Sequence, residues 1–330
     1  MIVARALKTL VWKRAEQREL AEIDAFALFS AMLDGGVGEL ELGAVLAALA
    51  MKPPVATEMA GFRRALQVRL NRLCAPAGAR TVVIPSYGGA RTQPNLMPLL
   101  ALMLARFGVP VLVHGPLEAQ GRVPSAAVFR ELGVLPCASL REAQSALDTS
   151  RLAFVPTSLL SPALAQMLAL RARLGFPNCA RHAARLADPF DSAGLKLVPV
   201  DDDAEGDSFG AALAMQQEHA LLFHGAEGEA YADPLQRPAI IYFRPGERTT
   251  LFAAEALPAA AHLSDPGHTP AQAEAKATAC WIQLALSGKV PTPPPMANLL
   301  ACCLYGSGVA EDIHRSKALV AVRAHGHAAA

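Results

Sequence analysis

Residues 81–116 read TVVIPSYGGARTQPNLMPLLALMLARFGVPVLVHGP: a short apolar run, a glycine-bearing polar loop, an apolar stretch of helical length, and a second short apolar run. Thr81-Val-Val-Ile84 and Pro110-Val-Leu-Val113 carry no polar alternation, so both read as strands buried on two faces, and Leu96 to Phe107 between them reads as a helix. Strands joined through a helix run parallel, because a hairpin would need only a short turn. The alternation continues downstream with a helix over Ala126 to Leu132 and strands at Leu152–Val155, Lys196–Val200, Ala220–Phe223 and Ile240–Phe243.

Upstream the period changes. Phe26, Phe29 and Leu33 recur at helical spacing, as do Leu42, Val45, Leu46 and Leu49, and then Met59, Phe62, Leu66 and Leu70. Asp34-Gly35-Gly36 and Pro53-Pro54 punctuate these runs, and Thr57 is placed to cap the third helix. The expected fold is therefore α/β. It has a small helical domain over residues 1–77, which draws in a later segment near 165–190, and a larger α/β domain over 78–330 with a mainly parallel central sheet.

The 330 residues are 52% hydrophobic and 18% charged, too apolar for a disordered chain, and no apolar run reaches the ~18–20 residues of a membrane span. Six cysteines without a C-x-x-C pair suit a reduced interior, and the N-terminal apolar stretches are broken by Lys8, Lys13 and Arg14, so a cytoplasmic location is expected. The formal net charge of +1 conceals a division. Residues 1–200 hold 22 Lys+Arg against 14 Asp+Glu, a balance of +8, while residues 201–330 hold 8 against 15, a balance of −7. Met59 to Leu117 contains seven arginines and no carboxylate, and Thr149 to Ala187 contains five arginines and His182, again with none. Such runs suit a polyanion.

Three loops at strand ends carry candidate chemistry. In Pro85-Ser86-Tyr87-Gly88-Gly89-Ala90-Arg91-Thr92-Gln93-Pro94-Asn95, backbone N–H groups and the following helix can receive a phosphate, with Ser86, Arg91 and Asn95 in support; a tight turn needing glycine explains the pattern equally well. His114 and Gly115 end the second strand, where α/β sheets place ligands, and His114 reads either as a ligand contact or as a hydrogen-bonded structural histidine. Glu227 and Glu229 follow a third strand and read either as cation ligands or as a solvated acidic loop.

In this order, and with the helical N-terminus, the loops resemble those of the anthranilate phosphoribosyltransferase family. Leu28 to Gly35, Leu42 to Leu49, Phe154-Val-Pro156, Leu170 to Gly175 and Leu186-Ala-Asp-Pro189 extend the resemblance over most of the chain. It implies that family's fold, with magnesium and phosphoribosyl diphosphate as the ligands of a transferase. The catalytic signatures depart from it. The family's Gly-Thr-Gly-Gly-Asp loop keeps only Gly88 and Gly89, and its Lys-His-Gly-Asn-Arg motif becomes Val113-His114-Gly115-Pro116-Leu117. Its magnesium-binding Asp-Glu pair falls on Ala230 and Tyr231, and its Arg-Thr and Asn fall on Pro177, Asn178 and Arg181. A reaction driven by neutralising a diphosphate leaving group lacks its charges here.

A narrower resemblance, carried by Ile84 to Arg91, Val113-His-Gly115, His224 to Asp233 and Ala301-Cys-Cys-Leu304, is to the divergent YbiB branch of the family. It implies a homodimer joined through the helical domain that binds DNA and other nucleic acids with little sequence preference, with no catalytic residues, no metal and no cofactor. The charge runs point to the same partner, since arginine's planar fork suits phosphate oxygens. The expected contacts are Arg171, Arg173, Arg181 and Arg185, and a second group with Lys8, Lys13 and Arg14. A third group, Arg63, Arg64, Arg69 and Arg72, is the one best explained as a solvated helix face. The glycine loop, with Ser86, Gly88, Gly89, Arg91, Asn95, His114 and Gly115, is expected to be a vestigial phosphate site. The rival classes are a residual pentosyltransferase with an altered acceptor and a protein that docks a partner through its charge division.

Overall fold

The computed structural model describes residues 2–12, 18–191, 193–255 and 273–326. The helical part comprises α1 (Ile2–Leu7), continued as a π-helical turn to Trp12, then α2 (Glu22–Leu33), α3 (Glu39–Ala50) and α4 (Ala56–Gln67). α4 begins one residue before Thr57, whose hydroxyl donates to the Leu20 carbonyl at 3.0 Å and so ties α4 to the entry of α2 instead of capping its own helix.

The α/β part runs β1 (Val82–Pro85), α5 (Met97–Arg106), β2 (Val111–Gly115), α6 (Ser125–Glu131), α7 (Leu140–Thr149) and β3 (Leu152–Pro156). Next come the short helices α8 (Thr157–Leu160), α9 (Pro162–Ala169), α10 (Arg171–Leu174) and α11 (Ala180–Arg185), followed by β4 (Leu195–Val200), α12 (Asp203–Gln216) and β5 (Ala220–His224). β6 (Ile240–Arg244), β7 (Glu247–Phe252), α13 (Ala275–Leu286), α14 (Pro294–Gly306) and α15 (Ile313–Gly326) complete the described chain. The seven strands pair in the order β3-β2-β1-β4-β5-β6-β7, with β1 to β5 parallel and β6 and β7 antiparallel at one edge.

Alternate strand residues enter different cores. Val82, Ile84, Val111 and Val113 face α5, α6, α13 and α14, while Val83 and Leu112 join the cluster built from α2, α3 and α4. That second cluster also takes in Leu160, Leu164, Met167, Ala180 and Ala183, so the segment from α8 to α11 packs on the N-terminal helices. A small helical domain thus lies against a larger α/β domain with a mostly parallel sheet. All six cysteines are free, and among the described residues no helix is long and apolar enough to cross a membrane.

The strand order reverses between β1 and β4. Loops that leave neighbouring strands at such a point diverge to opposite faces and open a crevice at their carboxyl ends. The crevice here is bounded by the loops after β1, β2, β4 and β5 and by α10 and α11.

Candidate anion-binding cleft

β1 delivers its chain to Ser86, whose N–H donates to the His114 carbonyl at the end of β2 at 2.8 Å. The loop then folds back so that Ala90 and Val123 exchange backbone hydrogen bonds of 2.9 and 2.7 Å. Gly88 is demanded by close approach, since a Cβ there would lie 2.8 Å from the Glu227 carbonyl oxygen, and Gly89 has a φ of +69°. Gly115 likewise abuts the Ser86 carbonyl.

The donors of this loop are already engaged. The Gly89 N–H donates to Glu229 Oε1 at 2.5 Å, the Arg91 N–H to Glu227 Oε2 at 2.6 Å, and the Thr92 N–H and hydroxyl to Glu227 Oε1 at 3.0 and 2.5 Å. Ser125 Oγ, itself bonded to Ser86 Oγ and Asn95 Nδ2, lies 3.3 Å from Glu229 Oε2. Two carboxylates from the loop after β5 therefore sit where the loop after β1 would receive an anion. Glu227 is only partly buried: burial works against its charge, but the Arg91 and Thr92 donors outweigh it and hold its pKa below the ordinary value. Glu229 is fully buried, and desolvation outweighs its donors and pushes its pKa up.

This donor set does not suit a magnesium diphosphate. Ala230 and Tyr231, at the position of the family's metal ligands, are buried in the apolar core, with the Tyr231 hydroxyl donating to the Pro94 carbonyl at 2.8 Å. Among the described residues no three His, Cys, Asp or Glu side chains gather as a metal site. Of the alternatives open in the sequence, Glu227 and Glu229 are neither a cation pair nor a solvated loop.

His114 is fully buried; its Nδ1 lies 2.8 Å from the Tyr87 hydroxyl, and its Nε2 has no hydrogen-bond partner among the described residues. Burial lowers its pKa to about 3 and raises that of Tyr87, so both are neutral at pH 7. Asn95 is buried as well, with its Oδ1 accepting from the Met97 N–H at 3.2 Å to start α5.

In front of the closed loop lie two adjoining cavities. One, of about 740 Å³, has an apolar wall of Tyr87, Pro116, Leu117, Pro156, Leu168 and Pro177, with Glu118, Gln120, Thr157, Ser158 and Asn178 as polar points and Arg122, Arg171 and Arg181 along the side it shares with its neighbour. The other, of about 410 Å³, is lined by Arg91, Arg122, Arg171 and Arg181 together with Asp201 and Glu227. Arg122 spends its Nη1 on carbonyl oxygens of Gly88 and Gly89 at 3.2 and 3.1 Å. Among the described residues no carboxylate pairs with Arg91, Arg122 or Arg171. Sequence reasoning misses Arg122. It lies beyond the end of β2, where the strand-end rule points, but in a segment without a run of like charge.

The other expected contacts are distributed unevenly. Arg185 is buried, with Nη1 2.7 Å from Glu205 and Nη2 3.1 Å from Asp201, and so it is removed from the surface as a phosphate contact: its charge is spent holding α11 to the start of α12. Arg181 shares Asp201 at 2.8 Å but keeps an edge on the cavity. Arg171 is exposed at the cleft mouth, Arg173 is exposed and 3.3 Å from Glu39, and Lys8 is exposed on the helical domain; Lys13 and Arg14 lie outside the described residues. The third group is no free face either. Arg64 pairs with Glu22 at 2.5 Å, Arg69 with Asp34 at 2.6 Å, Arg72 with Asp191, and Arg63 with Glu218, which also pairs with the buried Lys196.

Residues 8–69 match the family model described as glycosyl transferase family, helical bundle domain. YbiB of Escherichia coli (strain K12), described as uncharacterised, is 38% identical over 304 residues, covering 90% of this chain and 91% of that protein. Anthranilate phosphoribosyltransferase of Methylocella silvestris is 30% identical over 226 residues, 68% of this chain and 64% of the enzyme. The solved anthranilate phosphoribosyltransferase of Thermus thermophilus superposes with a TM-score of 0.77 at 21% identity, over 99% of this chain and 95% of that one. The Saccharomyces cerevisiae enzyme in complex with PRPP and Mg superposes with a TM-score of 0.72 at 14% identity, covering 98% and 94% of the two chains. The chain belongs to the YbiB-like family, built on the anthranilate phosphoribosyltransferase fold.

Proposed function

We propose that this protein binds nucleic acid through backbone phosphates, with little sequence preference, on a transferase scaffold whose diphosphate loop no longer takes diphosphate. The observation that carries this reading is the exchange of anion sites: Glu227 and Glu229 occupy the donors of the glycine loop, while Arg91, Arg122 and Arg171 in front of it have no carboxylate partner among the described residues. Arg173, beside Arg171 in α10 and paired with Glu39, and the exposed Lys8 are further proposed contacts, and Lys13 and Arg14 are proposed from the sequence alone. No metal or cofactor is needed, because guanidinium groups neutralise phosphate directly.

The protein acts as a homodimer through the helical domain in this reading. Trp12, Ile23, Leu40 and Met51 are between 71% and 86% exposed there, a concentration of large apolar side chains that water does not favour. A two-fold axis would present two cleft mouths to one polyanion. Free cysteines accord with a reduced, cytoplasmic setting.

The test is a salt titration of binding to a random-sequence duplex. The expected result is a logarithm of affinity that falls linearly with the logarithm of salt concentration, with a slope reduced by about 0.9 for each phosphate contact removed, as in Arg171→Gln. No measurable affinity at ~50 mM salt, or affinity insensitive to salt, overturns the reading. A second reading, transfer from phosphoribosyl diphosphate to an altered acceptor, is favoured by the 740 Å³ cavity; it requires both glutamates to leave the glycine loop.

A further inference from the structure

We infer that the arginine-lined bay is a metal-free site for a phosphomonoester carried on a nucleoside, with the adjoining apolar cavity receiving the nucleoside. The inference deepens the nucleic-acid reading and rests on it for the class of phosphate carrier. The charge balance sets the anion. Within the bay itself four guanidinium groups, from Arg91, Arg122, Arg171 and Arg181, face two carboxylates, Asp201 and Glu227, leaving a local excess of two positive charges, while Glu118 lines the adjoining cavity and not the bay. Both carboxylates are committed, Asp201 to Arg181 and Arg185, and Glu227 to backbone and hydroxyl donors. A phosphomonoester carries roughly −1.5 to −2 at pH 7 and matches that excess, whereas a backbone phosphodiester carries only one charge.

Shape makes the same choice. Arg122 and Arg181 line the inner part of the bay, half-buried, and the Arg181 Nε is buried without a hydrogen-bond partner among the described residues. A phosphodiester flanked by sugars on both sides stays at the exposed rim with Arg91 and Arg171, while a terminal phosphate can enter. The bay and the apolar cavity share Gly88, Arg122, Arg171, Pro177 and Arg181, so a phosphate in one places its nucleoside in the other. About 740 Å³ walled by Tyr87, Leu117, Pro156 and Leu168 is a volume typical of small-molecule sites and offers an aromatic ring for a base.

The phosphate can come from a free nucleotide or from the 5′ end of a strand, and calorimetry on the full chain without divalent metal separates them. The probes are adenosine, adenosine 5′-monophosphate, and one oligonucleotide duplex prepared with 5′-phosphate and with 5′-hydroxyl ends. The expected result is that a 5′-phosphate raises affinity about tenfold or more over its hydroxyl counterpart, on the mononucleotide, on the duplex end, or on both, and that Arg171→Gln and Arg91→Gln each remove about tenfold of it, as for loss of a charged hydrogen bond. Gain on the mononucleotide identifies a free nucleotide as a ligand; gain on the duplex alone identifies a strand end. Equal binding of phosphorylated and hydroxyl forms in both pairs, or a gain unchanged in both variants, overturns the inference. Salt-dependent binding of the 5′-hydroxyl duplex in that case leaves the nucleic-acid reading standing, and its absence removes that reading separately.

Discussion

Glu227 and Glu229 differ in what their removal exposes. Glu229 is fully buried and is the acceptor of the Gly89 N–H, with the Ser125 hydroxyl beside it, so Glu229→Ala strands buried donors and is expected to cost ~1–3 kcal/mol in denaturant unfolding. Glu227→Ala leaves donors at Arg91 and Thr92, both exposed, that water can satisfy, and the expected cost is the smaller of the two. His114 contributes to the acid sensitivity of the fold. Burial depresses its pKa from 6.5 to about 3, so its neutral form stabilises the native state fully above pH 6.5, and that contribution is lost as pH falls toward 3. The expected slope from this one group is up to about 1.4 kcal/mol per pH unit between those limits, measured as unfolding free energy against pH, and His114→Gln should remove it. The residue types in these loops were legible in the sequence, but the hydrogen bond from the Arg91 backbone N–H to Glu227 spans 136 positions and exists only because β4 and β5 follow β1 in the sheet.

At the scale of elements, periodicity located α2 to α4 and six strands within a few residues, because each buries a regular set of apolar side chains. It missed β7, Glu247-Arg-Thr-Thr-Leu-Phe252, an exposed edge strand with no apolar run to mark it. The arginines of α4 and of the segment just after it misled for a related reason: a run without local carboxylates reads as free charge, yet Glu22, Asp34, Asp191 and Glu218 reach it from four other segments. The contact of α4 with α2 is close at Gly61, where a Cβ would lie 2.5 Å from the Glu22 carbonyl oxygen and 2.7 Å from the Ala25 Cβ. Gly61→Ala must part the two helices and is expected to cost about 1–3 kcal/mol of unfolding free energy, read from the denaturant midpoint, despite alanine's better helix propensity.

For the whole molecule, the division of +8 against −7 along the sequence does not survive folding as two separate faces. Asp201, Glu205 and Glu218 from the acidic part pair with Arg181, Arg185, Arg63 and Lys196 from the basic part, and Glu227 lies inside the cleft. What the proposed reading leaves to a polyanion within the cleft is a smaller set, Arg91, Arg122 and Arg171. The exposed apolar residues of the helical domain test the proposed homodimer separately: Leu40→Glu with Met51→Glu is expected to lower the sedimentation coefficient to that of a monomer, and an unchanged coefficient would overturn the proposed interface. The proposed exchange in the cleft is of a diphosphate loop for an arginine bay. It is tested most directly by melting the same protein with millimolar phosphoribosyl diphosphate and magnesium, and with a random-sequence duplex at low salt, since a ligand held only by the native state raises the melting temperature. The predicted result is a rise with the duplex that salt abolishes and no magnesium-dependent rise with phosphoribosyl diphosphate. A magnesium-dependent rise with phosphoribosyl diphosphate and none with the duplex would contradict it.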